Sequence, residues 1–165
     1  STCSHLVGIS QNQIVKSMKS FKGVEHRLEY VRTINETDYI NDSKATNIDS
    51  VIVAINTYKR PIVLILGGFN KGANFRLLLP HIKSSHVRDI VSYGDAGGQI
   101  NTALGDAVRS VQVTDLSSAV KKAQLMAAPG DIVLLSPGCA SYDEFSNFEE
   151  RGNHFKSIIK NLAAS

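Results

Sequence analysis

A chain of 165 residues, 42% apolar and 20% charged, can fill one core and is too short for two ordinary domains. Its apolar runs fall short of the roughly 20 residues of a membrane span, so it is expected to be neither membrane-bound nor disordered. A net charge of +3 from scattered basic residues favours anionic small molecules over nucleic acid.

Two cysteines, Cys3 and Cys139, lie far apart with no CxxC spacing, so no metal knuckle or disulfide framework is read and a reducing compartment is expected. The amino end, STCSHLVGIS, lacks an initiator Met, a charged start and an apolar stretch. It is not a secretory signal and reads as a piece of a longer protein.

The first predicted element is a helix entered through a capping box, Ser10 with Gln13, stapled by Ile9 and Ile14 and carrying Ile14, Met18 and Phe21 at helical spacing. HRLEYVR (26–32) alternates, and after a turn around Asn35 and Glu36 comes ETDYIN (36–41), so a strand pair is predicted. A regular rhythm follows: helix 45–58, strand 61–67, helix about 73–83, strand 88–93, helix about 96–104, strand 108–113, helix 116–127, strand 131–136 and helix 147–163. IVLIL and IVLL are unbroken apolar runs, as expected where helices cover both faces of a sheet. The fold class is therefore α/β: a Rossmann-like, mostly parallel sheet with helices on both faces and a short strand pair ahead of it. Ligands in such sheets bind beyond the carboxyl ends of the strands, where the winding reverses.

Three segments leaving predicted strands are rich in small and polar residues: NDSKATN (41–47), GGFNKGANF (67–75) and SPGCASYDEFSNFEERG (136–152). If their strands are parallel, all three meet at one edge. Asp42 or Ser43 would serve as a helix N-cap. Lys44, however, falls where the first turn of a helix offers free N–H groups and disfavours a cation, which makes sense once a phosphate or carboxylate sits there. Gly67 and Gly68 either form a flexible turn beside a solvated Lys71 or remove side chains where something approaches the backbone. The GxxxxGK[ST] phosphate loop is absent, so no self-sufficient nucleotide hydrolase is encoded. Ser136, Cys139 and Ser141 lie in the third loop, ahead of a second capping box, Ser146 with Glu149, and Phe148 in the first turn. Cys139 is read as a buried structural thiol, not a nucleophile. The five histidines show no ligand spacing, His81, His86 and His154 are taken as surface or cap residues, and no metal site is predicted. GDAGGQI (94–100) lacks the spacing of a dinucleotide loop.

In order, HRLE, DSKATN, GGFNKGANF and LSPGCASYDEFSNFEERG resemble one family. The chain is similar to the carboxyl-terminal domain of the Mur ligases, in particular the UDP-N-acetylmuramoyl-alanine:D-glutamate ligases. The resemblance covers nearly the whole chain. Residues 1–22 would be the end of the preceding ATPase domain with its linker, and 23–165 the carboxyl-terminal domain. The DNPR loop of the diaminopimelate- or lysine-adding siblings is missing, and Gly138 stands where relatives commonly carry Ala, which is expected to loosen the loop.

The resemblance implies a bacterial, cytoplasmic, monomeric ligase of peptidoglycan synthesis, and hence of cell shape and division. Such an enzyme uses ATP and Mg2+ to phosphorylate the carboxylate of UDP-N-acetylmuramoyl-L-alanine, and D-glutamate then attacks. ATP and Mg2+ would be held mainly by a domain outside this chain, and the chain alone is expected to be inactive, with no catalytic residue of its own. The resemblance places Arg27, Asp42 and Lys44 at the nucleotide, and Thr46, Lys71, Ser141 and Phe148 around D-glutamate with Tyr142 beside them. Nucleic acid and membrane are not implied. Two other readings stay open: a stand-alone Rossmann-like binding or regulatory module, and a related amide ligase such as folylpolyglutamate synthase or cyanophycin synthetase.

Overall fold

A computed structural model of the chain describes residues 10–20 and 23–162. Helix α1, Gln11–Ser20, begins at the predicted capping box: the Ser10 hydroxyl accepts from the Gln13 N–H (3.3 Å) and Gln13 Oε1 from the Ser10 N–H (2.9 Å). Ile9 and Phe21, and the side chain of Met18, lie outside the described residues.

Strands β1 (Glu29–Ile34) and β2 (Thr37–Asn41) form the predicted antiparallel pair. Asn35 and Glu36 both take positive φ, 49° and 60°, the backbone of a tight two-residue turn whose twist matches the strands it joins. The rest alternates: α2 (Ile48–Thr57), β3 (Ile62–Gly67), a 3-10 turn (Phe75–Leu78), α3 (Leu79–Ser84), β4 (Val87–Tyr93), α4 (Gly97–Leu104), β5 (Arg109–Gln112), α5 (Leu116–Met126), β6 (Ile132–Gly138) and α6 (Phe148–Asn161). The six strands form one sheet in the order β1-β2-β6-β3-β4-β5, parallel from β2 to β5.

Each face of the sheet carries its own core. Ile62, Leu64 and Leu66 of β3 pack with Ile55, Leu78, Ile82 and Ile100, beneath α2, α3 and α4. Val63 and Ile65 point the other way, onto Val120, Phe155 and Ile159 of α5 and α6. All five strand side chains are wholly buried, each contributing on the order of 1.5–3 kcal/mol. The central strands are thus a rigid base for whatever their carboxyl ends carry.

Three predicted elements start or divide differently. The helix expected from residue 45 begins at Ile48, capped by Asn47, whose side chain accepts from the Ser50 N–H (2.9 Å). Asp42 and Ser43 therefore cap nothing, and Lys44 is not in a helical turn. The helix expected over 73–83 breaks into the 3-10 turn and α3 because Pro80, lacking an N–H, fits only at a helix start. In the last helix the cap is Asn147, accepting from the Glu150 N–H (2.7 Å), one residue beyond the predicted Ser146–Glu149 pair.

Candidate functional site

Because β2, β6 and β3 are adjacent and parallel, the loops leaving them meet at one sheet edge, as predicted. The chain leaves β3 towards α3 on one face and β6 towards α6 on the other, which opens a crevice between two neighbouring strand ends.

On one side lies a cleft of about 360 Å³ that brings together Arg27, Asp42 and Lys44, floored by Leu28, Val53 and Ala54. The Asp42 carboxylate is buried, accepting from the Leu28 N–H (3.1 Å) and the Ser136 hydroxyl (2.8 Å). Burial pushes its pKa up to about 6, although these hydrogen bonds and the nearby Arg27 charge pull the other way. The Lys44 N–H donates to the His26 carbonyl (3.0 Å), so segment 26–28 is tied to 42–44 at both ends. Lys44 itself is exposed, its ammonium 5.4 Å from the centre of the Phe148 ring.

Across the crevice, Gly67 and Gly68 have φ of 152° and 119°, and a Cβ at either would stand 2.3 Å from the carbonyl oxygen of Tyr93 or Ala140 respectively. The close approach there comes from the chain's own backbone, in β4 and in the loop after β6. Phe69 and Ala140 exchange two backbone hydrogen bonds, 2.9 and 3.1 Å, joining the β3 and β6 loops. Lys71 follows on an exposed turn in which Asn70 Oδ1 accepts from the N–H groups of Gly72 and Ala73, and its ammonium lies 4.7 Å from the centre of the exposed Tyr142 ring. Ser141 is buried and Phe148 half-buried. Thr46 is exposed, next to Ala45, whose carbonyl accepts from the Gly138 N–H (2.8 Å). That bond, and the pairing of Gly138 with Gly67, hold the chain where loosening was expected.

Cys139 is buried and unpaired, its thiol pushed up to about 12 by burial, so it is no nucleophile at neutral pH. His86 is exposed, whereas His154 is half-buried with Nε2 2.8 Å from the Ser117 hydroxyl. Two residues were missed by sequence reasoning. His26, 3% exposed, packs its ring edge-on to Phe148 with Nδ1 3.0 Å from Asn41 Nδ2. Arg151, wholly buried, hydrogen-bonds Ser43, Cys139 and Ala140. Its signal was its position: 148, 151, 155 and 159 form one helical stripe whose other members are Phe, Phe and Ile.

Residues 26–139 match the family model described as Mur ligase, glutamate ligase domain. The chain is 45% identical over 156 residues to a UDP-N-acetylmuramoylalanine--D-glutamate ligase of Chloroherpeton thalassium, covering 94% of this chain and 33% of that protein. It is 43% identical over 159 residues to the enzyme of that name from Bacillus mycoides, covering 95% and 35%. The chain thus spans about a third of the length of these curated relatives. Among solved structures it superposes on the UDP-N-acetylmuramate-alanine ligase MurC of Thermotoga maritima with a TM-score of 0.67 at 13% identity, over 96% of this chain and 35% of that one. The bifunctional folylpolyglutamate synthase/dihydrofolate synthase of Yersinia pestis gives 0.66 at 17%, over 91% and 34%. At such identities these structures speak for the fold alone, while the family match and the relatives above 40% identity go further: this chain belongs to the Mur ligase family and carries its glutamate ligase domain.

Proposed function

We propose that the chain is the amino-acid-delivering, carboxyl-terminal domain of an ATP-dependent ligase that joins D-glutamate to UDP-N-acetylmuramoyl-L-alanine in the bacterial cytoplasm, acting as a monomer. In this reading residues 1–22 finish a preceding ATPase domain and 23–165 form the delivery domain. The observation that carries it is the meeting, at one sheet edge, of two polar half-sites in a chain more than 40% identical to ligases named for D-glutamate. The cleft of Arg27, Asp42 and Lys44 pairs an apolar floor with one carboxylate and two cations, matching the base, hydroxyls and phosphates of a nucleotide. In this reading Lys71, Ser141 and Thr46 would offer a cation and hydroxyls to an amino acid with two carboxylates, with Phe148 and Tyr142 beside them.

The chemistry needs two steps. A carboxylate oxygen of the acceptor takes the γ-phosphoryl group and ADP leaves. The D-glutamate nitrogen then forms a C–N bond to the acyl carbon, losing a proton as the C–O bond to phosphate breaks. The chain's residues would hold that amine against the acyl phosphate, a proximity effect worth on the order of 7–11 kcal/mol in good geometry. Mg2+ would neutralise phosphate charge. Among the described residues no three acidic, histidine or cysteine side chains converge on a metal position, so the proposal assigns the ion no ligands from this chain.

The test is product formation by the full-length protein given ATP, UDP-N-acetylmuramoyl-L-alanine and a panel of amino acids. D-glutamate alone is expected to yield ADP, phosphate and the extended nucleotide. Equal turnover with L-lysine or L-glutamate, or none with D-glutamate, overturns the reading.

A further inference from the structure

The Arg151 guanidinium is wholly buried, and every acceptor it reaches is neutral. Nε donates to the Ser43 hydroxyl (3.0 Å) and Nη2 to the Ser43 carbonyl (2.8 Å), while Nη1 donates to the carbonyls of Cys139 (3.0 Å) and Ala140 (3.1 Å). Among the described residues, none of the ion pairs includes it. A buried cation without a counter-charge is costly, and a methionine would fill the space without that cost. What a methionine lacks is the rigid fork that satisfies acceptors on two separate loops at once.

Those loops are the two halves of the site. Ser43 lies between Asp42 and Lys44, and its hydroxyl passes the connection on by donating to the Phe148 carbonyl (2.8 Å). Phe148 in turn lies beneath the Lys44 ammonium. Ala140 precedes Ser141 and is bridged to Phe69, two residues before Lys71. We infer that Arg151 is a positioning residue: it locks the loop bearing Asp42 and Lys44 to the loop bearing Ser141, and so fixes the distance between the phosphate-facing and amino-acid-facing halves. The identity of the two ligands rests on the ligase reading above; the clamp itself does not.

The nucleotide side keeps ties independent of Arg151, namely Asp42 to Leu28 and Ser136, and Lys44 to His26. Losing the clamp should therefore displace the Ser141 loop more than the nucleotide cleft. In the full-length protein, Arg151→Lys keeps the charge but not the fork. Its KM for D-glutamate is expected to rise about tenfold or more, the size of one or two lost hydrogen bonds, with the KM for ATP within about twofold. Amide hydrogen exchange should quicken together at Phe69 and Ala140 while Lys44, held by His26, and β4 stay protected. Ser43→Ala, which removes the Nε acceptor and the hydroxyl's bond to the Phe148 carbonyl but keeps the Ser43 carbonyl that Nη2 reaches, should shift both readouts the same way to a smaller extent and decides the matter if Arg151→Lys does not fold. Unchanged KM values with a lower kcat would show only lost folded enzyme and overturn the inference, as would wild-type exchange at Ala140. If the parent protein does not use D-glutamate, the ligase reading fails, and the exchange result alone decides the clamp.

Discussion

Asp42 is a carboxylate held where water would serve it better. Its two acceptor contacts and the nearby Arg27 charge do not offset burial, and its pKa stands near 6 against an ordinary 3.8. A carboxyl raised in the folded state stabilises the fold only while protonated: that contribution is complete below about pH 4 and is gone once the pH has risen through about 6. Asn can keep both hydrogen bonds without the charge, its oxygen accepting from the Leu28 N–H and its NH2 donating to a Ser136 hydroxyl turned to accept. Asp42→Asn is therefore expected to melt higher than the parent at pH 7.5, by an amount equivalent to at most about 3 kcal/mol, and to match it near pH 4. Equal differences at the two pH values would show that burial of the charge is not the cause. The added stability should come with weaker ATP use, as when strain at a binding site is relieved.

At the scale of elements, α6 joins site to core. Its stripe places Phe148 and Arg151 against the loops and Phe155 and Ile159 against the sheet, and Gly152 makes room for His26: a Cβ there would stand 2.2 Å from the ring's Nδ1. Gly→Ala in a helix normally stabilises by about 0.5–1 kcal/mol. Here overpacking should outweigh that gain, so Gly152→Ala is expected to destabilise by about 1–3 kcal/mol in denaturant titration, and a stabilised variant would refute the packing.

The same element shows how far the sequence could be read. Its apolar stripe and polar start were legible, as were the unbroken apolar strands, because periodicity reports burial directly. The helix starts at Ile48 and Phe148 were less so. Several residues before each could cap it, and ahead of Ile48 the choice fell to Asn47 because Asp42 and Ser43 are committed to tertiary hydrogen bonds. For Arg151 the stripe marked burial but its partners were illegible: a basic residue reads as solvated unless the acceptors awaiting it, on the β6 loop and more than 100 residues away at Ser43, are known.

Over the whole molecule, a two-sided core fixes the strand ends, the diverging connections after β3 and β6 open the crevice, and the loops line it with charged and polar side chains. That Arg27, Asp42 and Lys44 come together in one cleft is in keeping with the motifs that singled them out. Among the described residues Lys71 rests on Tyr142, an exposed contact worth about 0.5–1 kcal/mol, weak enough to yield to a carboxylate. Lys121, on the exposed face of α5, serves as the control. The measurement that tests the account most directly is kcat/KM for D-glutamate in the full-length Lys71→Ala and Lys121→Ala proteins. Removing the cation from a partly desolvated carboxylate should cost about 2–5 kcal/mol, a fall of roughly 30-fold to several thousand-fold, whereas loss of an exposed helical charge should change little. Near-equal values for the two variants would contradict the assignment of this edge to the incoming amino acid.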